Sequence, residues 1–427
     1  MNAEMTVRLE DVASRHRMTE KTTTAAIPGA PVSKRLMSVD ALRGFDMFWI
    51  IGADSLVYAL NRMTKSRPTQ ILADQLEHAE WSGFHFYDLI FPLFIFIMGV
   101  SIVFSLTKIL KQEGRAGALK RIARRSILLF IVALIYSGGV SHPWPDIRLM
   151  GVLNRIAICY FFGGIIFCFC NLRAMAAIAA SLLIGYWALL TFVPFPDVRP
   201  VPGSNEVITQ ANYSKVSQLN MDSTNRIRGS YLQGVNLTDY LDQKYLPGKK
   251  WDGTYDPEGF LSTLPAIASC LLGIFAGLLL ANTNVPDNKK VIYLLGFGVV
   301  GVALGFLWGT QFPVIKKIWT SSFVLVAGGY SAILLGTFYW IVDVLKFQAW
   351  CQPFVWMGMN SITIYLVRNF IGGFGPLSQR FAGGDVKAFF DTHVTQGFGD
   401  LMISFVGLAL AFWLVHFLYR RKIFLRL

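Results

Sequence analysis

Long apolar runs separated by short polar connections dominate this chain after residue 34. About ten of these runs are long enough to cross a hydrocarbon core of about 30 Å. Backbone N–H and C=O groups in lipid must pair within their own segment, and the runs are too long and too uniformly apolar for barrel strands. The sequence therefore predicts an all-α fold, a polytopic membrane helix bundle of about ten transmembrane helices. We place the spans near 44–61, 86–107, 123–141, 149–170, 174–193, 259–281, 290–310, 319–345, 350–371 and 398–419.

The composition excludes several other classes of protein. Charged residues make up 15% of the chain, against about 25% in soluble proteins. The net charge is +13, but the basic residues fall in short connections, which indicates membrane topology rather than a nucleic-acid footprint. We therefore expect a lipid bilayer and no nucleic acid as partner. Cysteine spacing fits neither a zinc site nor a disulfide framework, so we expect no metal.

The distribution of lysine and arginine predicts the orientation in the membrane. Basic residues collect in the connection 108–125 and at the C-terminus. Under the positive-inside rule both termini are cytoplasmic, residues 1–34 form a polar cytoplasmic tail, and 35–427 form the membrane domain. The long polar connection 194–258 is then an extracytoplasmic loop that carries structure or binds a polar substrate.

A histidine-bearing segment precedes the second apolar run and is the first candidate for chemistry. A histidine at the mouth of a helix bundle can take a proton from an amine or a hydroxyl, which makes His78 the candidate base. The alternative is that His78 only lies in the interfacial aromatic belt beside Trp81 and Tyr87. His85 and Asp88 are three residues apart, which favours a local hydrogen bond over a metal site.

Ionisable residues inside predicted spans are costly and are candidates for function. Asp54 and Asp88 fall near the predicted extracytoplasmic ends of their helices, on the side of His78. A polar pocket that opens outward is one interpretation. The other is that these acids cap helices or pair with Arg155 and Arg368 for packing.

Six motifs, in order along the chain, carry a resemblance to a known family. The chain resembles the membrane-embedded heparan-α-glucosaminide N-acetyltransferases and their bacterial relatives. The polar residues within the second motif, from His78 to Pro92, make chance similarity between apolar runs a poor explanation. The motifs are RLMSVDALRGFD, HAEWSGFHFYDLIFPLFIFIMGVS, WPDIRLMGVLNRIAICYF, YDPEGFLSTLPAI, MGMNSITIY and RRKIF.

The resemblance implies an enzyme that uses cytoplasmic acetyl-CoA as co-substrate to acetylate the amine of a terminal glucosamine across the membrane. The family's active histidine matches His78, and its asparagine in the first helix falls on Asp54, where this chain departs from the pattern. Arg148 and Arg155 match family positions. With these correspondences we predict three sets of site residues. The catalytic set is His78, Asp54 and Asp88; the donor-binding set is Arg121, Arg124 and Arg125; the acceptor-binding set is Trp81, Arg148, Arg155, Asp256, Glu258 and Asn360.

Several alternatives stay open at this point. Arg121, Arg124 and Arg125 suit phosphate groups but are equally typical of positive-inside anchors. A transporter of a sugar or glycan intermediate, or an acyltransferase with a hydroxyl acceptor, fits the same buried charges. The sequence does not distinguish direct acetyl transfer from transfer through an acetyl-histidine intermediate. It also does not distinguish a homodimer from a monomer. From the resemblance we expect a bacterial cytoplasmic (inner) membrane protein with an amino-sugar or glycan acceptor.

Overall fold

The computed structural model describes residues 36–425, and the predicted tail 1–34 lies outside the described residues. The described part is built mostly from helices. In chain order they are α1 Met37–Phe48, α2 Asp54–Thr64, α3 Arg67–Gln75, α4 Phe86–Tyr136, α5 Val152–Phe169, α6 Leu172–Phe192, α7 Leu237–Tyr245, α8 Thr263–Ala281, α9 Asp287–Gly309, α10 Ser321–Phe338, α11 Gln352–Met359, α12 Ser361–Phe370, α13 Phe374–Ala382, α14 Asp385–His393 and α15 Phe398–Arg420. One short antiparallel pair, β1 Phe195–Pro196 and β2 Arg226–Ile227, aligns Phe195 with Ile227.

Helix α4 reverses direction and accounts for two predicted spans. Its 51 residues would extend about 76 Å if straight. Asp88 near its start and Tyr136 at its end nevertheless line one cavity. Gly114 interrupts the helix with φ 70° and ψ −167°, a left-handed φ that glycine adopts without a Cβ penalty. The two halves therefore form a hairpin, as the separate runs 86–107 and 123–141 predicted.

Two predicted spans are broken helices in the structure. Gly52, with φ 129°, lies in the π-helical turn Trp49–Ala53 that separates α1 from α2. Asn360 separates α11 from α12 in the same way, with φ −115° and ψ 20°. Non-helical backbone at membrane depth is tolerated where protein or a cavity surrounds it. Met47 and Ile50 at the first break, and Ser361 and Ile362 just after the second, line the central cavity.

Within residues 36–425, seven helices are long and apolar enough to cross a membrane. The sequence predicted about ten spans; two of the predicted spans fall in the single helix α4, and two others are broken helices that do not enter this count. Helices α4, α5, α8 and α10 pack their apolar faces into the main core, whereas most of α9 and α15 stays exposed. Exposed apolar helix faces of this length fit a lipid environment, and the protein is an integral membrane protein.

The long polar connection 194–258 is a folded unit, held to the bundle by a second apolar core. Phe195, Ile208 and Tyr240 from this segment pack with Tyr186 of α6 and with Phe312 after α9. Asn236 caps the start of helix α7, and its side chain accepts the N–H of Asp239. This unit forms one wall above the bundle and brings residues 251–258 to the cavity.

Candidate functional site

A cavity of about 480 Å³ lies where the polar connections meet the broken helices. Its lining combines membrane-helix residues with residues of the long connection, so a ligand inside it touches both. Because several chain segments converge there, this cavity is the leading candidate for a substrate site. The contributing segments are 47–50, 78–94, 133–137, 148–156, 251–258, 316–319 and 361–368.

His78 and Asp88 form a hydrogen-bonded pair at the cavity wall. Nδ1 of His78 lies 2.8 Å from Oδ1 of Asp88, and the His78 side chain is half exposed while that of Asp88 is buried. Oδ2 of Asp88 accepts the backbone N–H groups of Ala79 and His85, at 3.2 and 3.0 Å. Asp88 thus caps the start of α4 and orients the imidazole, which leaves Nε2 as the basic nitrogen when Nδ1 carries the proton.

Lys316 completes this cluster, although the sequence analysis did not select it. Its Nζ lies 3.0 Å from Nδ1 of His78, 3.4 Å from Nε2 of His78 and 3.4 Å from Oδ1 of Asp88. Burial lowers the pKa of Lys316, and the charge and hydrogen bond of Asp88 oppose that effect. The cluster therefore contains a base, an anion and a cation within contact distance.

Asp54 lies behind the cavity lining and interacts with two residues that form it. Its carboxylate faces the hydroxyl of Tyr87 and the charge of Arg368, and its Oδ1 accepts the N–H of Ser55 at 2.8 Å. The Tyr87 ring in turn lies 4.9 Å from the His78 ring. The structure therefore joins Asp54 to His78 through Tyr87 rather than by direct contact.

Arg148, Asp256 and Glu258 form a charged group on the opposite wall. Arg148 donates to both carboxylate oxygens of Asp256, at 2.8 and 2.7 Å, and to Glu258 at 2.7 Å. Burial opposes the charge of Arg148, but these partners still raise its pKa. Burial and the Asp256 charge raise the pKa of Glu258 against the opposing charges of Arg155 and Arg148. Arg148 and Glu258 line the cavity, whereas Asp256 lies behind them.

Of the other residues predicted to bind the acceptor sugar, one lines the cavity and two lie buried behind its lining. Trp81 lines the cavity and donates its indole N–H to the carbonyl oxygen of Tyr231 at 2.8 Å, which ties the loop after α3 to the long connection. Arg155 is fully buried and donates to the carbonyl of Pro257. Asn360 is buried at the break between α11 and α12 and donates to the carbonyl of Trp356. The last two position cavity residues without lining the cavity themselves.

The predicted donor-binding arginines lie on the returning half of α4, away from the cavity. Arg121 and Arg124 are exposed, and the Arg125 guanidinium lies 4.7 Å from the centre of the Tyr160 ring. Ala133 lines the cavity eight residues further along the helix, so about 12 Å of helix separates it from Arg125. The structure therefore places these arginines at a distance from His78 along the bundle.

Two further cavity residues were missed by the sequence analysis. Asn154 is 1% exposed, and neither polar atom of its carboxamide has a hydrogen-bond partner among the described residues. Trp251 is largely exposed, and the Arg148 guanidinium lies 4.9 Å from its ring centre. The NR pair inside the GVLNR motif was the available signal for Asn154, because polar residues within an apolar run mark function by default.

Comparison with known proteins identifies relatives of this chain. The family model described as "Heparan-alpha-glucosaminide N-acetyltransferase, catalytic" matches residues 35–214. The heparan-alpha-glucosaminide N-acetyltransferase of Homo sapiens is 27% identical over 390 residues, which cover 82% of this chain and 55% of the relative. The Mus musculus protein of the same name is 26% identical over 379 residues, covering 82% and 56%.

The chain spans about half the length of these curated relatives. The matched region 35–214 contains His78 and Asp88 of one polar wall and Arg148 of the other, whereas Glu258 and Lys316 lie beyond it. The resemblance predicted from the sequence motifs is confirmed: this chain is similar in sequence to the heparan-α-glucosaminide N-acetyltransferases.

Proposed function

We propose that this protein is a transmembrane N-acetyltransferase that moves the acetyl group of cytoplasmic acetyl-CoA to the amine of an extracytoplasmic glucosamine-type sugar. The observation that carries the proposal is the contact between His78 and Asp88 at a cavity shared by membrane helices and the long polar connection. The names of the matched relatives support the reaction class. Residues 35–427 would form the acetyltransferase domain and residues 1–34 its cytoplasmic tail.

In this proposal His78 is the general base. Asp88 accepts a hydrogen bond from the Nδ1–H group, so the unprotonated Nε2 can take a proton from the attacking amine. Tyr87 and Asp54 hold the ring from its other side. The same arrangement also allows Nε2 to accept the acetyl group first and pass it on, which is nucleophilic catalysis.

The acceptor would bind between the two polar walls. Glu258 and Arg148 offer an acceptor and several donors for sugar hydroxyl groups, and Trp81 and Trp251 offer aromatic surfaces. Asp256, Arg155 and Asn360 would support this subsite from behind by fixing Arg148, the 257–259 backbone and the break before α12. We therefore assign them positioning roles in acceptor binding.

The donor would enter from the opposite side of the membrane. A coenzyme A nucleotide is too anionic to cross lipid, but its pantetheine arm spans about half of a 30 Å core. Arg121, Arg124 and Arg125 would hold the phosphates by charge-assisted hydrogen bonds. Asn154 presents an unpaired carboxamide to the cavity, and one amide of the pantetheine arm would supply both its donor and its acceptor.

The topology follows the same proposal. Both termini would be cytoplasmic, and the connection 194–258 would lie outside, in the inner membrane of a bacterium. The cavity then opens towards the acceptor, while the returning half of α4 leads towards the cytoplasm. In this topology neither acetyl-CoA nor the acceptor sugar has to be transported across the membrane.

Acetyl transfer by purified protein tests this function. Full-length protein is incubated with radiolabelled acetyl-CoA and a panel of glucosamine, galactosamine and the matching N-acetylated or fully hydroxylated sugars. We expect label on the free amine of glucosamine and none on sugars without an amine. Label on hydroxyl groups would favour an O-acyltransferase. Uptake of unmodified sugar into proteoliposomes without acetylation would favour a transporter.

A further inference from the structure

Lys316 reaches the His78 cluster because the backbone brings two distant loops together. Ser82 and Ile315 form an isolated antiparallel bridge, and the N–H of Gly83 donates to the carbonyl of Val314 at 2.9 Å. Thr320 closes the lysine loop by accepting the N–H of Ile315 at 3.0 Å. These contacts fix the residue that follows Ile315 next to His78, 238 positions away in the sequence.

After its contacts within this cluster, the Lys316 ammonium still has an N–H donor available for a ligand. In the tautomer of His78 that carries a proton on Nδ1, this N–H donates to Asp88 at 2.8 Å. The 3.0 Å contact between Lys316 Nζ and Nδ1 is then electrostatic and not a hydrogen bond. The ammonium has three N–H donors and lies 3.4 Å from both Oδ1 of Asp88 and Nε2 of His78. At least one donor can therefore point into the cavity that Lys316 lines.

The neighbouring cations already have carboxylate partners. Lys317 lines the same cavity, but its Nζ is bound to Asp252 at 2.7 Å. Arg148 is held by Asp256 and Glu258 on the opposite wall. Lys316 is less tightly paired, since its Nζ lies 3.4 Å from Oδ1 of Asp88, and its positive charge lies beside Nε2 of His78, where a carbonyl group under attack would lie.

From this geometry we infer that Lys316 is a catalytic residue whose ammonium group binds the oxyanion formed when the acetyl thioester is attacked. The inference rests on the proposed acetyltransferase function and adds a second catalytic group to His78. A preorganised donor aimed at developing negative charge is typically the largest single contribution to such catalysis.

The acceptor nitrogen, or Nε2 of His78 in the two-step route, attacks the carbonyl carbon, and the C=O electron pair moves to oxygen, where the Lys316 ammonium stabilises it. In the direct route the amine proton passes to Nε2. The C–S bond then breaks as the C=O bond re-forms, and the coenzyme A thiolate takes that proton from His78. In the two-step route the C–S bond breaks to leave the acetyl group on Nε2, and the thiolate takes the Nδ1 proton. The acceptor amine then attacks the acetyl carbon, the bond from that carbon to Nε2 breaks, and the amine proton passes to His78. In both routes the oxyanion forms beside Nε2.

Kinetics of three variants of the full-length protein test this role, with acetyl-CoA and glucosamine as the substrates. Lys316→Met should lower kcat by about 10²–10³-fold, the usual loss for one oxyanion donor, with little change in KM for either substrate. Lys317→Met is the matched comparison, because it removes the adjacent lysine of the same wall, and it should lower kcat far less than Lys316→Met does. Lys316→Arg keeps the charge and should recover part of the loss.

The pH profile separates a catalytic ammonium from a structural lysine. The charged or titratable groups around Lys316 are His78, Asp88, Glu258 and Lys317. Because burial lowers the pKa of Lys316, wild-type kcat should fall at alkaline pH as the ammonium loses its proton. Lys316→Arg should move that alkaline limb to higher pH, since a guanidinium stays charged.

Three results would overturn the inference. One is a Lys316→Met enzyme with wild-type kcat, another is an equal loss in Lys316→Met and Lys317→Met, and the third is an alkaline limb that Lys316→Arg leaves unmoved. If Lys316→Met does not fold, the pH profile of kcat for Lys316→Arg still tests the inference. A wild-type protein that transfers no acetyl group overturns the proposed function itself, which is a different outcome.

Discussion

Nδ1 of His78 lies 2.8 Å from Oδ1 of Asp88, so the residue that caps α4 also orients the imidazole that faces the cavity. The two residues are ten positions apart, and the backbone N–H groups of Ala79 and His85 hold the carboxylate between them. Helix capping and imidazole orientation therefore depend on one carboxylate.

Asp88→Asn should separate these two roles. The amide oxygen can still accept backbone N–H groups, so the cap survives, but the neutral side chain no longer favours the Nδ1–H tautomer. We expect kcat to fall by about 10²–10⁴-fold with the thermal unfolding midpoint almost unchanged. Asp88→Ala should in addition lower the free energy of unfolding by about 0.5–2 kcal/mol through loss of the cap. A fully active Asp88→Asn protein would contradict the orienting role.

A second prediction concerns the pH dependence of stability in the long connection. Burial raises the pKa of Asp242 to about 7, above its ordinary value of 3.8, although its hydrogen bond from Phe260 opposes the shift. Between those values the folded state holds a proton that the unfolded state has lost. Stability should therefore fall as pH rises through that window and level off above about pH 7.

Unfolding midpoints of the detergent-solubilised protein across that pH range check this prediction. Asp242→Asn stays neutral at every pH and should flatten the decline. Asp222→Asn, which changes an exposed carboxylate of the same connection, should keep the wild-type slope. Equal slopes in wild type and Asp242→Asn would show that the carboxyl does not carry the effect.

The third prediction concerns the donor. Neutralising Arg121, Arg124 and Arg125 together should weaken acetyl-CoA binding without changing acceptor affinity, because phosphate contacts contribute about 1.5–3 kcal/mol each before screening. The loss in affinity should exceed about tenfold in a binding titration and shrink at high salt. Neutralising Arg420 and Arg421 is the matched control. Unchanged donor affinity in the triple variant would leave these arginines as topology anchors and direct attention to Lys289 and Lys290.

The fold class was predictable from the sequence, but the breaks in two spans were not. Long apolar runs separated by polar connections are sufficient to predict membrane helices, because few other structures satisfy the backbone hydrogen bonds in lipid. Gly52 and Asn360, however, lie in runs whose hydropathy is compatible with a continuous helix. Their non-helical backbone is a local conformation close to cavity-lining residues, and hydropathy does not describe it.

Candidate residues of the site could be predicted where they belong to recognised motifs, as for Arg148 and the pair of Asp256 and Glu258, which lie more than 100 residues from it and meet it in the structure. His78 and Asp88 belong to one motif, whereas Lys316 comes from a loop 238 residues away and depends on the bridge between Ser82 and Ile315. A signal for it did exist. Lys316 and Lys317 fall in a connection that the positive-inside rule assigns to the outside, where basic residues are depleted.

The fourth prediction concerns membrane sidedness. Val201 is 64% exposed in the long connection, so a cysteine placed there should react with a membrane-impermeant maleimide. We expect labelling in intact spheroplasts, without permeabilisation, because the connection 194–258 is proposed to lie outside. Labelling that requires access to the cytoplasmic face would reverse the topology and place His78 on the donor side.

The most direct test of the account compares two histidine variants in one assay, the initial rate of acetyl transfer from labelled acetyl-CoA to glucosamine. His78 lines the cavity and contacts Asp88, whereas the His85 side chain hydrogen-bonds the Glu77 carbonyl. Loss of a general base costs about 10²–10⁴-fold, so His78→Ala should lose activity on that scale while His85→Ala keeps most of it, both with wild-type unfolding midpoints. A well-folded His78→Ala protein with wild-type turnover, or a larger loss in His85→Ala, would contradict the central role given to His78.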